Sequence, residues 1–251
     1  ERRLSIESYI GYLAFSNGIP VAYGGGWLFG KRSQFGINIL PAFRGGPSAL
    51  LLAQLIRVYH QYYQAEKFVV KPYQFGEKNP EAIKTGAFWF YYKAGFRPEL
   101  PEIHEMAKTE WLKIKKDRSY RTDAKTLRVF TKSAIYLDLH KDAFPDFDAA
   151  VISRRITEGI KENFQGDRKK AVLQSVAHLK KHCRGIAFKI KGSIMEKVFE
   201  EWSLVAMMGL EKNKWTRKEK EGFIELIKLK AEQGERNFIK RLGVFTEEIF
   251  N

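Results

Sequence analysis

What this chain lacks narrows its nature first. It has a single cysteine, Cys183, which excludes an internal disulfide framework and fits a reducing, cytoplasmic compartment. No apolar run approaches the roughly 18–20 residues that cross a bilayer, and the longest are broken by Gly, Lys or Arg, so no membrane span is expected. There is no internal repeat and no low-complexity tract. The first 98 residues contain no aspartate and only 5 glutamates, Glu1, Glu7, Glu66, Glu77 and Glu81, against 12 lysines and arginines. A segment so poor in acids offers few general bases. It suits an anionic partner instead: a phosphate-rich cofactor, nucleic acid or an acidic membrane surface. The remainder of the chain has 32 basic against 24 acidic residues and completes the net charge of +15 with both signs present.

The 251 residues are 44% hydrophobic and 14% aromatic, enough to build cores for one large domain or two ordinary ones. Texture changes near residue 98. Before it the chain is rich in Gly and aromatics; after it charged helical patterns dominate, and Phe96-Arg97-Pro98-Glu99-Leu100-Pro101 reads as the border. The expected domains are therefore 1–98 and 99–251.

Within 1–98, Tyr9 to Phe15 reads as a strand, Ser16-Asn17-Gly18 as a hairpin turn, and Pro20 to Phe29 as the returning strand. Gly24, Gly25 and Gly26 at its middle suggest a bulge or a close backbone approach. A third strand is expected from Phe35 to Leu40, then a loop, then a helix opened by Pro47 and running to about Ala65. A buried strand, Phe68 to Tyr73, and a helix from Pro80 to Ala94, closed by Gly95, complete the series. The second segment reads as a helical bundle. Ser193 with Glu196 and Thr216 with Glu219 have capping-box spacing, and Ile194, Val198, Trp202 and Val205 recur at helical intervals.

The richest segment is Phe35 to Leu55, FGINILPAFRGGPSALLLAQL. A strand enters a Gly-rich loop that opens an apolar helix. Free N–H groups at a helix start, with the positive end of its dipole, make an anion site. Gly45 and Gly46 permit close approach and Arg44 adds charge; a plain strand-helix turn is the competing reading.

This segment resembles motif A of the GNAT superfamily of N-acetyltransferases, Arg/Gln-x-x-Gly-x-Gly/Ala, with Arg44 at its first position and Ala49 at its last. Pro47 stands where the pattern has a glycine, and supplies no N–H. Ala87-Phe88-Trp89-Phe90-Tyr91-Tyr92-Lys93-Ala94-Gly95-Phe96 is similar to motif B, Ala-x-x-x-Tyr-x-Lys-x-Gly-Phe. The asparagine that commonly precedes this motif falls on Lys84, with Asn79 displaced upstream. The resemblance covers residues 8–98. It implies an α/β (α+β) fold, a GNAT-like mixed sheet flanked by helices, followed here by a mostly α-helical domain of its own. It also implies a strand and two helices before the hairpin, either upstream of Glu1 or lost.

By that resemblance the chain is an acyltransferase moving an acetyl or other acyl group from acyl-coenzyme A to an amine acceptor, without metal. Such transfer requires positioning, carbonyl polarisation and a proton for the departing thiolate. Backbone groups of Ile39 and Leu40 would hold the pantetheine arm and polarise the thioester. Arg44, Gly45, Gly46, Ser48 and Ala49 would hold the pyrophosphate, and Tyr91 would be the general acid. Tyr91 also lies in a run of five aromatics, where packing is the alternative. The base is not evident: Glu77 and Glu81 are the candidates, His60 lies mid-helix, and a water chain serves equally. Tyr73 and Phe75 either line the site or pack in the core.

A non-catalytic binding or sensing module of the same fold is the second reading, and a basic nucleic-acid-binding protein the third. The run Lys212 to Arg241 supports the latter, although interleaved glutamates make it resemble the wet face of an amphipathic helix. His178 and His182, four apart beside Cys183, either share a metal or lie on the surface. The acidic cluster Asp138, His140, Asp142, Asp146 and Asp148 reads as a solvated loop with a helix cap.

Overall fold

The computed structural model describes residues 6–140, 148–186, 188–210, 214–232 and 234–250. Among these the architecture is mixed α/β, a six-stranded mixed sheet with ten α-helices. Two compact units emerge: Tyr9–Leu28 with Arg32–Ala143, and Glu1–Ser8 with Phe29–Lys31 and Phe144–Asn251. The expected border at residue 98 therefore differs from this division, because a strand of residues 135–138 completes the sheet.

The sheet-bearing unit opens with strands β1 (Ser8–Ser16) and β2 (Ile19–Phe29). They are joined at Asn17 and Gly18, both at positive φ, as the turn signal predicts. Strand β3 (Arg32–Ile39) follows, then helix α1 (Ser48–Tyr63) and strand β4 (Lys67–Val70). Leu52, Leu55, Ile56 and Tyr59 of α1 are buried, the i, i+3, i+4, i+7 stripe of a helix laid on a sheet. Each such side chain contributes about 1.5–3 kcal/mol when fully covered. Tyr59 is the anchor: its ring meets Phe35 edge-on at 5.3 Å and its hydroxyl donates to the Ile10 carbonyl.

The single helix expected from Pro80 to Ala94 is two, α2 (Pro80–Thr85) and α3 (Ala87–Lys93). Gly86 between them has φ 64°, ψ 38°, at once closing α2 and opening α3. A side chain there would carry the left-handed penalty of about 1–2 kcal/mol, so the kink depends on glycine. Strand β5 (Arg97–Pro98), helices α4 (Pro101–Lys116) and α5 (Ala124–Phe130) and strand β6 (Ile135–Asp138) complete the unit. Phe88 and Trp89 of α3 form an aromatic cluster with Phe75, Trp111 of α4 and Phe130 of α5. The strand order is β1-β2-β3-β4-β6-β5. β3 and β4 are parallel, whereas β4 with β6 and β5 with β6 are antiparallel.

From residue 148 the second unit is helical among its described residues, a shorter stretch than the expected 99–251: α6 (Ala149–Phe164), α7 (Arg168–His182), α8 (Ser193–Leu204), α9 (Arg217–Ala231) and α10 (Glu235–Phe250). Trp202 packs edge-on against Phe223 and Phe238, and Trp215 against Phe223. A π-helical turn, Val205–Gly209, extends α8. Lys230 is buried, its ammonium bound to Glu235 at 3.0 Å, with the Glu7 carbonyl at 3.3 Å and Ser8 Oγ at 3.4 Å. Thr216 and Glu219 form the expected capping box on α9. Ser193 does not: Gly192, at φ 85°, caps α8 and Ser193 is its first helical residue, without a side-chain cap bond.

Candidate functional site

The register between β3 and β4 runs Arg32 to Lys67, Ser33 to Phe68 and Gln34 to Val69, whereas β3 continues to Ile39. Beyond Gln34 the parallel partner falls away, and the end of β3 presents backbone groups toward the β4 side. Two groups meet there. Gln74, in the 3₁₀ turn Pro72–Phe75, sets its amide against Gly36, 3.0 Å from where a β-carbon would stand. Tyr91, on α3, hydrogen-bonds the Ile37 backbone and donates to Gln74 Oε1 at 3.4 Å.

Tyr91 is only 2% exposed, and burial pushes its phenol above the ordinary tyrosine range, with the Ile37 backbone bond acting weakly the other way. Tyr12, whose hydroxyl donates to the Gly36 carbonyl at 2.7 Å, is pushed up as well, by burial first and then by Tyr59 and Tyr91. Burial and then Tyr63 do the same to Tyr59. Three phenols thus remain protonated donors grouped along β3. Sequence reasoning found Tyr91 through a motif but singled out neither Tyr12 nor Gln74, whose only signal was the placement of polar groups beside strand residues.

Past Ile39 the chain makes a 3₁₀ turn, Pro41–Phe43, and reaches α1 through Arg44 to Pro47. Gly45 has φ 110°, which an L side chain rarely adopts. A β-carbon at Gly45 or Gly46 would meet nothing within 4 Å, so the loop faces open space. No acidic side chain occupies the first turn of α1; the Ser48 N–H is bonded to the Gly45 carbonyl at 2.8 Å and the Leu51 N–H to that of Pro47 at 3.0 Å, which leaves the Ala49 and Leu50 amides at the helix start.

The expected cofactor residues divide. Gly45, Gly46 and Ala49 lie along this opening. Ser48 is buried instead and clamps the loop: its hydroxyl accepts from the Gly45 N–H at 3.1 Å and donates to the Phe43 carbonyl at 3.3 Å. Leu40 donates its N–H to the Val21 carbonyl at 3.0 Å, so that group is engaged in the sheet. By the two-residue alternation of a strand, the Ile39 N–H points as Ile37's does, toward the β4 side. Arg44 Nε donates to the Ile39 carbonyl at 3.2 Å, and its Nη1 pairs with Glu81. Sequence expectation had given these two separate roles, one for the phosphate and one as base; the fold joins them.

Glu77 is exposed, and its N–H bonds the Pro72 carbonyl. Asn79 caps α2 through the Ala82 N–H at 3.2 Å and donates to the Tyr73 carbonyl at 3.1 Å. Tyr73 is exposed, while Phe75 is buried against Phe88. His60 bonds the Ala65 carbonyl at 2.9 Å through Nδ1, finishing α1.

The remaining candidates lie elsewhere. His178 and His182 stack at 5.8 Å, and His182 meets Trp215 edge-on at 5.6 Å. Among the described residues no three His, Cys, Asp or Glu side chains gather as metal ligands. Asp138 accepts from the His140 N–H and Asp148 caps α6; Asp142 and Asp146 lie outside the described residues. No described helix is long and apolar enough to cross a membrane. Comparison of the chain with protein-family models, curated proteins and solved structures returns no significant match.

Proposed function

We propose that the sheet-bearing unit binds an acyl-coenzyme A and transfers its acyl group to an amine. One observation carries the reading. The loop resembling motif A and the tyrosine resembling that of motif B, far apart in sequence, converge on the last residues of β3: Arg44 on the Ile39 carbonyl and Tyr91 on the Ile37 backbone. The mixed sheet flanked by helices is the expected setting.

In this reading the diphosphate lies over Gly45, Gly46 and the Ala49 and Leu50 amides of α1, with Arg44 as counter-charge. The pantetheine arm follows β3 on the side β4 has left, and the Ile39 N–H polarises the thioester carbonyl. The amine attacks that carbon, the carbon–sulfur bond breaks, and Tyr91 gives its proton to the departing thiolate. Gln74 and Ile37 hold the phenol in place. The amine proton leaves through water to Glu77 or Glu81, both at the surface.

A second reading, a non-catalytic acyl-coenzyme A sensor, is favoured by the burial of Tyr91. A phenol raised above its usual value of about 10 gives up its proton reluctantly to a thiolate, since an ordinary thiol such as that of cysteine titrates near 8.5. Calorimetry with acetyl-coenzyme A and thiol-release assays over an amine panel divide the two. Binding with turnover supports the transferase, binding alone the sensor, and no binding removes both. Tyr91→Phe should lower turnover about 100-fold with binding within about twofold; unchanged turnover ends the assignment of Tyr91.

A further inference from the structure

From Ser8 to Gly30 the chain has no charged residue, although 29% of all its residues are charged. That stretch is β1 and β2, and β1 is the terminal strand of the sheet. An edge strand presents unpaired backbone donors and acceptors, and proteins usually guard it with lysine, proline, a bulge or brevity. The other edge, β5, is guarded by being only 2 residues long. β1 runs 9 residues, SYIGYLAFS, with neither charge nor proline.

One face of this hairpin is also apolar and open. Tyr9, Leu13 and Phe15 on β1 are 54%, 55% and 60% exposed, and Ile19, Tyr23 and Trp27 on β2 are 55%, 51% and 42% exposed. These positions share strand parity, and Tyr9 touches Trp27 at a ring separation of 4.9 Å, so they line one surface. Half of the 150–250 Å² that an aromatic side chain offers comes to roughly 400 Å² for Tyr9, Phe15, Tyr23 and Trp27, and the half-exposed Leu13 and Ile19 bring the patch to on the order of 500–600 Å². That reaches the upper end of the largest patch on an ordinary monomer, and approaches the roughly 800 Å² each partner gives to a stable interface.

We propose that this neutral face docks a second copy of the same chain, with β1 pairing antiparallel to its counterpart about a twofold axis. Charge selects the occupant. Two chains at +15 each repel across most surfaces, and β1–β2 is the uncharged stretch where they can meet. An acidic partner would find no cation there to pair with. A twofold axis sets the patch against itself, covering the aromatic face and satisfying the open edge together. The acyltransferase reading is not needed for this proposal.

Sedimentation of the full chain from about 1 to about 100 µM, the weak end of affinity for interfaces of this size, should show two 29.1 kDa chains associating. Hydrogen exchange of the β1 amides should slow as concentration rises. Leu13→Lys and Phe15→Lys, each placing two like charges near the axis, should weaken association about 100-fold with an unchanged melting temperature. A chain that stays monomeric throughout overturns the proposal, even if the face then binds vesicles or another protein. A dimer indifferent to both lysines, or one whose β1 amides exchange at the monomer rate, overturns it equally. Exchange in the unaltered chain keeps the test decisive should either variant fail to fold.

Discussion

The hydroxyl of Tyr91 points at the side-chain oxygen of Gln74, 3.4 Å away, beside the end of β3 beyond its last pairing with β4. Replacing Gln74 with Leu removes that acceptor and leaves a buried hydroxyl without its side-chain partner. The loss in stability should be about 1–2 kcal/mol by urea unfolding. At this long separation the coupling with Tyr91→Phe in a double-mutant cycle should be small, about 0.5 kcal/mol.

Arg44 and Glu81 are largely exposed, so their ion pair contributes little to stability. Arg44→Ala should change the unfolding free energy by less than about 0.5 kcal/mol, yet weaken acetyl-coenzyme A binding about tenfold. Glu81→Gln releases the guanidinium toward an anion and should leave that affinity equal or higher. Calorimetry at low salt separates them, and a loss of affinity in Glu81→Gln would contradict the arrangement.

Two identical spacings on the helical unit have different fates, which gives a paired test. Thr216→Ala breaks a capping box whose two halves are formed and should destabilise the chain by about 1 kcal/mol. Ser193→Ala removes no capping bond and should stay within about 0.3 kcal/mol. Urea unfolding reads both.

His182 gives the helical unit a pH dependence below neutrality. Burial first, then Lys220 and His178, hold its pKa below the usual 6.5, and its Nε2 is buried with no hydrogen-bond partner. The unfolded chain therefore takes up a proton at about 6.5 while the folded one still refuses it, so the unfolded state binds more protons and stability falls with acidification. The loss begins as pH drops through 6.5 and ends at the lower folded value. The melting temperature should fall between pH 7.5 and the mildly acidic range, and His182→Gln should flatten that slope.

The hairpin, β3, α1 and β4 were legible because their periodicities are strong and their punctuation, Asn17-Gly18 and Pro47, is local. The kink at Gly86 was not, since one glycine inside an aromatic helical pattern announces no positive φ. Strand β6 escaped because four residues, IYLD, flanked by helical patterns give too short a period to register, and with it went the true extent of the sheet. Of the candidate site, the loop was readable from residue type and spacing, and Tyr91 only from the motif resemblance. The pairing of Arg44 with Glu81 and the clamp role of Ser48 depend on the fold itself.

The return of β6 governs the order of assembly. Phe68, Val69 and Val70 are each fully enclosed, with β6 along one side of their strand, yet everything from residue 71 to 134 must be synthesised before that cover exists. At ribosomal speed the wait is about 3–13 s, during which a greasy ribbon stays naked along one flank. A fragment halted near residue 98 would never receive its cover, and its fate in the cell is precipitation or capture by a chaperone.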